Sequence, residues 1–567
     1  MAYLMKGSEV LGKFNLIDEN WISVLDTTGE TIEISLTELF ANAQNYRCLA
    51  GEMKTQDFAI LRILLAVLQT VFSRFDADGN PYDYIDLDDR FRQIDDVDED
   101  DLTNYKKDLR RTWKNLWKAG EFPDIINKYL EKWHDRFYLL DDKYPFMQVS
   151  EDIIRNNTKN RGGTEVGIKT INRTITESKN KIALFAGRDN LRKNKTTSSE
   201  LSRWLITYHG YPGAIDKTKF TNIGDKFSPS KGWLYDLGGI YFTGNNLFET
   251  LMLNLVLVHP QEFNEYRQRP AWEFSASENV DEALTISLIN NLAGLYTRYS
   301  RAIYINPYAD FSNDFSLEVV KLLNLEHQNQ NLELMTTWRK NESGPNKGTF
   351  TPKKHRRDIS LWRSFGLLAL NPNTNDTWKV GLMEHLESIK NILGDYNFTI
   401  NSVSMEDDGN SSSWVPINEI YDYLNINDFV ASDLSENGWV IRIDDTINET
   451  KDIVEVTYKR FLKEIKLIRN QQSDNFVEQR VENVYFLLND PFKNWLMSIT
   501  IDDNKDQKIE EWRKTLEKIV RSEADKVLEN ANPRDYTGIT IDDKNHNIVT
   551  AYNSFNYFLN KKLRKGD

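Results

Sequence analysis

The sequence predicts an α+β protein: a large mixed domain of helices and small sheets over residues 1–440, then an all-helical, four-helix C-terminal bundle over residues 441–567. Three observations predict it. Phe14 to Leu36, FNLIDENWISVLDTTGETIEISL, reads as a strand, a turn at Thr28-Gly29 and a second strand with Ile32, Ile34 and Leu36 alternating. Phe137 to Val149, FYLLDDKYPFMQV, is an apolar run, an acidic turn and a second apolar run. From about residue 446 the apolar residues fall instead at helical spacing: Val454, Tyr458, Phe461, Ile465 and Ile468, then Val477, Val481, Val484 and Leu488.

The elements between follow from local chemistry. Leu36 to Ala43 opens a helix, with Thr37 as its cap. Phe58 to Arg74 is apolar nearly all round and predicts a central buried helix. Asp83 to Asp101 is densely acidic and reads as a solvated loop. Leu102 to Lys132 reads as helix, with Trp113 and Trp117 at i,i+4 spacing. Residues 151–232 are polar, rich in Asn, Thr, Lys and Gly, and long polar stretches inside a large domain are either mobile or functional. Order returns at Trp233 to Val258, with a turn at Gly238-Gly239 and an apolar helix or buried strand over Leu247 to Val258. Phe398 to Val403 and Trp439 to Ile443 read as strands, and Asp407 to Ser413 as a loop. Asp490-Pro491 predicts a helix restart, with Pro at its favoured first position. Two further stripes, Ile509, Trp512, Leu516, Ile519 and Ile548, Tyr552, Phe555, Leu559, complete the bundle.

Composition excludes several classes. At 567 residues the chain has room for a large core. Its net charge of −15 rules out a generic polyanion binder, so any nucleic acid must be met by local basic patches. A single cysteine, Cys48, excludes a disulfide framework or a cysteine-based zinc site and suits the reducing cytoplasm. The N-terminus lacks a signal-peptide pattern, and no apolar run reaches the ~20 residues of a membrane span.

Catalytic patterns do not hold together. Gly7 to Lys13 spells G-x-x-x-x-G-K, but Phe14 stands where a magnesium-binding Ser or Thr belongs, and no strand precedes it. His134-Asp135 is the pair used by metal-dependent phosphohydrolases and nucleases, yet the seven histidines are scattered. That enzyme remains the alternative function, and a helical scaffold with no DNA contact is a third. No cofactor is expected.

Basic loops are the stronger signal. Arg188, Arg192, Lys193 and Lys195 form one cluster. Tyr208 to Phe220, YHGYPGAIDKTKF, places Gly213 and Ala214 before Lys217 and Lys219. Lys353, Lys354, His355, Arg356 and Arg357 form a third, followed by Trp362-Arg363. Cationic side chains neutralise phosphates without reading sequence, while small residues let a backbone approach a groove. Lys459, Lys463 and Lys466 form a stripe on the bundle face opposite its apolar stripe, as many solvated helices do.

Over most of its length the chain resembles CasA, the large subunit of the type I-E CRISPR surveillance complex Cascade. The resemblance is carried in family order by FNLIDENWISV, FYLLDDKYPFMQV, SRWLITYHGYPGAIDKTKF, GWLYDLGGIYFTGNNLFETLMLNLVL, RPAWE at Arg269 to Glu273, MTTWRK at Met335 to Lys340 and ISLWRSFGLLAL at Ile359 to Leu370. It implies a non-enzymatic subunit that inspects double-stranded DNA for the protospacer-adjacent motif (PAM). It also implies help in opening the duplex for the guide RNA and in recruiting the system's helicase-nuclease. The implied partners are PAM-bearing DNA, the guide RNA 5′ end, the other Cascade subunits and that nuclease, with no membrane.

Matched residue by residue, the family's PAM-probing loop falls on Gly213, Ala214 and Ile215, followed by Lys217 and Lys219. The loop reaching the guide's 5′ end falls on about Ile182 to Asn190, with Phe185 as anchor and Arg188 alongside. The position of a glutamine wedge found in some members holds Ser364, too short to replace a stacked pair. Duplex opening then falls to Arg363 or the Lys353 to Arg357 loop. No lysine stands near Phe274 to Ser277, where some members touch the PAM. The lysine stripe would steady the displaced strand.

Overall fold

Residue 62 is an arginine in the middle of a long apolar helix, Lys54–Phe72, and every residue from Thr55 to Phe72 is buried. The structure, a computed structural model, describes residues 14–564 apart from 176–186, 215, 222–230, 261–266, 286–287, 314, 324, 369–377, 395, 411–413, 428–429, 431–432, 434–436 and 542. Lys54–Phe72 is long and apolar enough to cross a membrane, but it is wholly enclosed by protein. It packs against the helices Ser198–Gly210, Leu292–Tyr296 and Ile125–Lys132.

A buried cation is tolerable only when paired and hydrogen-bonded. Arg62 makes a two-pronged bond to Glu333 (2.9 and 2.8 Å), which also accepts from Trp233 Nε1 (2.7 Å) and the Met335 amide (2.9 Å). Burial alone would raise the Glu333 carboxyl, but Arg62 and these donors bring it below its ordinary value. Just past the helix, Arg74 is held the same way by Glu273 (2.6 and 3.0 Å) and by the carbonyls of Gln268 and Phe91. Glu273 is the last residue of the RPAWE segment.

The chain divides into two compact units. The first comprises residues 1–355, 375–388 and 400–422; the second comprises 356–374, 389–399 and 423–567. The fold is α+β, as the sequence predicts. In the first unit β1 (Ile22–Asp26) pairs antiparallel with β2 (Thr31–Ile34) and with β3 (Tyr46–Leu49). Gly29 takes the left-handed conformation (φ 91°) that the hairpin turn needs. The Phe14 and Phe137 segments meet: Leu16 N donates to Phe137 O and Leu139 N to Phe14 O, both at 2.9 Å.

Further along, β4 (Thr164–Gly167), β6 (Arg301–Tyr304) and β7 (Ser316–Lys321) form an antiparallel sheet in the order β4-β7-β6. A second sheet joins β5 (Gly238–Thr243), β8 (Thr336–Lys340), β9 (Phe350–Pro352), β10 (Asn397–Asp407) and β11 (Pro416–Asn427) in the order β11-β10-β5-β8-β9. Of the last two strands, residues 400–407 and 416–422 belong to the first unit.

The second unit is mainly helical. The helix Trp439–Lys451 runs through a π-helical stretch, Asp452–Tyr458, into Lys459–Ile468. Asn475–Met497, Lys505–Glu529 and Ile548–Leu563 complete four long helices among the described residues. In its core Phe492 stacks on Trp362 (ring centroids 4.4 Å apart) and meets Trp512 edge to face (4.9 Å).

Several local expectations are corrected. Trp439 to Ile443 is the first turn of a helix, because the Asp433 carboxylate accepts from the Trp439 amide (2.9 Å) and the buried positions continue at helical spacing to Thr450. Pro491 lies inside a continuous helix; burial of Leu488, Phe492, Trp495 and Leu496 outweighs its missing amide. Leu102 to Lys132 is two helices, Leu102–Ala119 and Ile125–Lys132, separated at left-handed Gly120 (φ 74°). Ser35, not Thr37, caps Leu36–Asn42. Gly238-Gly239 opens strand β5 rather than a turn; the Lys353 and Val403 carbonyls lie where side chains would go.

Replacing Glu333 by Ala should strand the Arg62 charge in the core and cost about 3–5 kcal/mol, read as a fall in the denaturant midpoint. A second test uses acid. Burial pushes His209 down from 6.5 to about 4; its hydrogen bond to the Met147 carbonyl offsets part of this and nearby Arg301 adds to it. The folded state therefore binds fewer protons than the unfolded chain. Stability from the neutral ring is complete above pH 6.5 and is lost as pH falls from 6.5 toward about 4. His209→Gln should flatten the fall in unfolding free energy across that window by up to about 1.4 kcal/mol per pH unit.

Candidate nucleic-acid interface

The helix Ser198–Gly210 ends at the Tyr211–Lys219 loop, and the sheet β4-β7-β6 holds that loop in place. Arg301, the first residue of β6, is fully buried and donates to the Gly213 carbonyl (2.7 Å). Its guanidinium also faces the Asp216 carboxylate, with Nε 2.7 Å from Oδ2 and Nη2 3.1 Å from Oδ1. Lys321, opposite Arg301 across the β6–β7 ladder, donates its amide to Thr218 O (3.0 Å). The Thr164 and Thr218 hydroxyls of β4 and the loop meet at 2.8 Å. Gly213 and Ala214 are buried, Lys217 is exposed and Lys219 is half-buried; Ile215 lies outside the described residues.

The same sheet holds the other loop. Phe315, just before β7, donates its amide to Asn194 O (3.3 Å), and Thr196 N donates to Phe311 O (3.1 Å). The Asn194 side chain occupies the space a Cβ on Gly167, the end of β4, would need. Arg188 is tied to Glu200 (2.6 Å) and to the Lys195 carbonyl (2.9 Å), while Asn190 and Leu191 are exposed. Arg192 is exposed and sits 3.5 Å from Asp189. Phe185 and the rest of Ile182 to Ala186 lie outside the described residues.

The third cluster is divided by its neighbours. Lys353 is exposed. Lys354 is 3.0 Å from Asp407 and 4.0 Å from Asp236, over the Tyr235 ring; burial lowers its pKa despite both acids. Burial opposes the Asp236 charge, yet His327 and Lys231 hold that carboxyl at about 2. Arg356 is paired with Asp358, and Arg357 is exposed. Arg363 lies flat on Tyr485 (3.4 Å to the ring centroid), 3.4 Å from Glu455 and 3.7 Å from Glu482, so it is already committed within the helical unit. Ser364 is half-buried at the end of the turn Leu361–Ser364. On the bundle, Lys466 pairs with Asp474 (2.5 Å), Lys459 is half-buried and Lys463 is exposed.

His134 and Asp135 are occupied as well. His134 Nε2 is 2.7 Å from Asp18, and Asp135 pairs with Arg90 and Arg136. Among the described residues no group of three or more His, Cys, Asp or Glu side chains is arranged to hold a metal. The Gly7 to Lys13 pattern lies outside the described residues.

Two features escaped sequence reasoning. Arg301 sits among apolar residues in RAIYI, and only its burial reveals its task. Lys514, Lys518 and Lys526 line a groove of about 530 Å³ with Leu487 and Ile519. Lys514 and Lys518, one turn apart, were legible on the side of the helix away from the Trp512–Leu516 stripe, whereas Lys526 lies closer to that stripe's edge.

The fold is shared with CRISPR-associated proteins. The structure superposes on Thermobifida fusca Cse1 with a TM-score of 0.76, at 21% identity over 97% of this chain and 98% of that one. It superposes on a chain of a CRISPR RNA-guided surveillance complex with a TM-score of 0.67, at 14% identity over 96% of this chain and 99% of that one. The CasA/Cse1 protein of Thermus thermophilus is 27% identical over 267 residues, 46% of this chain and 42% of that relative's length. The family model for CRISPR-associated protein Cse1 matches residues 15–522, and the chain belongs to the Cse1 family.

Arg363→Ala should lower the unfolding midpoint of the helical unit by removing its stack on Tyr485 and its acidic partners, at a cost of about 1–2 kcal/mol. Arg357→Ala, at an exposed site, should leave that midpoint within about 0.5 kcal/mol. Thermal unfolding followed by tryptophan fluorescence separates the two.

Proposed function

We propose that this chain is the large, non-catalytic subunit of a type I-E RNA-guided CRISPR surveillance complex, and that it recognises the PAM in double-stranded DNA. The observation that carries the reading is the Tyr211–Lys219 loop, held on the β4-β7-β6 sheet in a chain of the Cse1 family. The likeness to a chain of an RNA-guided surveillance complex supports its place in such an assembly. The division of labour is physical: protein reads a short motif and backbone shape, and base pairing with the guide reads the rest.

In this role the loop meets the duplex through Lys217, its exposed cation, while Gly213 and Ala214 keep the backbone low enough for close approach to the minor groove. The minor groove distinguishes mainly A·T from G·C, so several related PAMs are tolerated. The neighbouring loop, carrying Phe185, Arg188 and Asn190, contacts the guide RNA 5′ end. Lys353 and Arg357 contact phosphates as the duplex opens. Lys459 and Lys463 steady the displaced strand, and the subunit helps recruit the helicase-nuclease. It needs no cofactor and works in the cytoplasm. A net charge of −15 keeps its own duplex affinity weak, so the assembly supplies the remaining surface.

A PAM-library binding assay with and without this subunit tests the reading. PAM dependence should appear only when the subunit is present. Lys217→Glu should weaken binding of the assembled complex to PAM-bearing duplex at least about tenfold and reduce the salt slope by about 1. Unchanged affinity and slope would remove the loop from the interface.

A further inference from the structure

A guanidinium that is 0% exposed and faces a carboxylate that is 2% exposed is not there to meet solvent or a ligand. Arg301 is aimed at two points of one short loop: the Gly213 carbonyl at 2.7 Å and the Asp216 carboxylate at 2.7 Å. Both points lie just ahead of Lys217 in the chain. Arg301 also donates to the Ser300 carbonyl (2.7 Å), which fixes the guanidinium plane against its own strand. Its cross-strand partner Lys321 holds Thr218 through the backbone, so two opposed residues of one ladder grip the loop on both sides of Lys217.

We infer that Arg301, with Asp216, is a positioning residue for PAM recognition: it fixes Gly213 and Asp216, and so where Lys217 stands, and does not touch DNA. The inference rests on the proposed PAM reading of this loop. The fork geometry matters. An Arg presents several N–H donors in one plane and can bind a carbonyl and a carboxylate at once. Lysine at the same place keeps the charge but loses the fixed plane. If the clamp served stability alone, its loss would lower all functions together. A positioning clamp instead separates discrimination from general DNA affinity, because phosphate contacts elsewhere on the assembly do not depend on the loop's path.

The test uses the assembled complex carrying Arg301→Lys, Arg301→Met, or the paired replacement Arg301→Met with Asp216→Leu. The pair removes both charges together, which buried ion pairs tolerate far better than the loss of one partner, so it guards against misfolding of the single variant. Three quantities are read: assembly by gel filtration, affinity for duplex without a PAM, and the affinity ratio of PAM-bearing over PAM-free duplex. The expected result is intact assembly and unchanged PAM-free affinity, with the ratio reduced at least about tenfold in Arg301→Met and in the paired variant, and partly restored in Arg301→Lys. An unchanged ratio in the assembled paired variant overturns the inference, as does an equal loss of PAM-bearing and PAM-free binding. Lys217→Glu, measured in parallel, separates the two failures. A ratio lost in Lys217→Glu but kept in the paired variant overturns the clamp alone; a ratio kept in both overturns the loop assignment with it.

Discussion

The first unit is organised around the need to neutralise two arginines at its centre. Lys54–Phe72 is buried on all sides, so Arg62 inside it and Arg74 just beyond it have no water to turn to. Each is met by a carboxylate far along the chain, Glu333 from the approach to β8 and Glu273 from the RPAWE segment. Unpaired, either charge would cost several kcal/mol, so the helix cannot be enclosed until those distant segments arrive. The Trp233 and Tyr129 side chains then bond the same carboxylates, which brings two more aromatic segments into register. Segments that look like family signatures in the sequence are therefore charge partners and supports of one helix.

That core explains how polar loops are held with little apolar content of their own. The sheet β4-β7-β6 is short, yet both loops proposed to meet nucleic acid are anchored on it, at opposite ends of β7. Phe315 and Asn194 join one loop just before the strand begins, and Lys321 and Thr218 join the other where it ends. Six residues of strand span about 20 Å, so a single rigid element sets the separation of the two loops. Both loops are tied down by backbone hydrogen bonds, the second also by the buried Arg301–Asp216 ion pair, and Asn190 and Lys217 stay exposed.

Much of this was legible in the sequence because it rested on periodicity. The α+β class, the buried Phe58 helix, the hairpin turning at Gly29 and the stripes of the helical unit all follow from where apolar residues recur. What was not legible depended on contacts between segments far apart in sequence. Trp-Val-Ile-Arg-Ile at 439–443 has the composition of a strand, and only the Asp433 cap and the continuing buried face make it a helix. Pro491 is a helix starter by local rule, overruled by the aromatic core it packs beside. At the candidate site, basic clusters singled out the loops for attention, but the sequence could not say which cations were already taken. Arg188, Lys354, Arg356, Arg363 and Lys466 each face a carboxylate of this chain. Arg301 was invisible because its neighbours are apolar.

That partition of cations bears on how an acidic subunit could serve in the proposed DNA recognition at all. A cation already paired within the protein exchanges one carboxylate for a phosphate on binding and gains little; an exposed cation displaces a counterion, and that release drives phosphate binding. Of the cations proposed for DNA, Lys217, Lys353, Arg357 and Lys463 are the exposed ones, spread singly over separate loops and one helix. A few scattered phosphate contacts on a chain of net charge −15 give an interaction that is weak, fast to release and steeply dependent on geometry. A subunit that must test many duplexes and commit only when base pairing follows is served by such contacts. In the proposed role, tight binding by this chain alone would trap the complex on sites its guide cannot pair with.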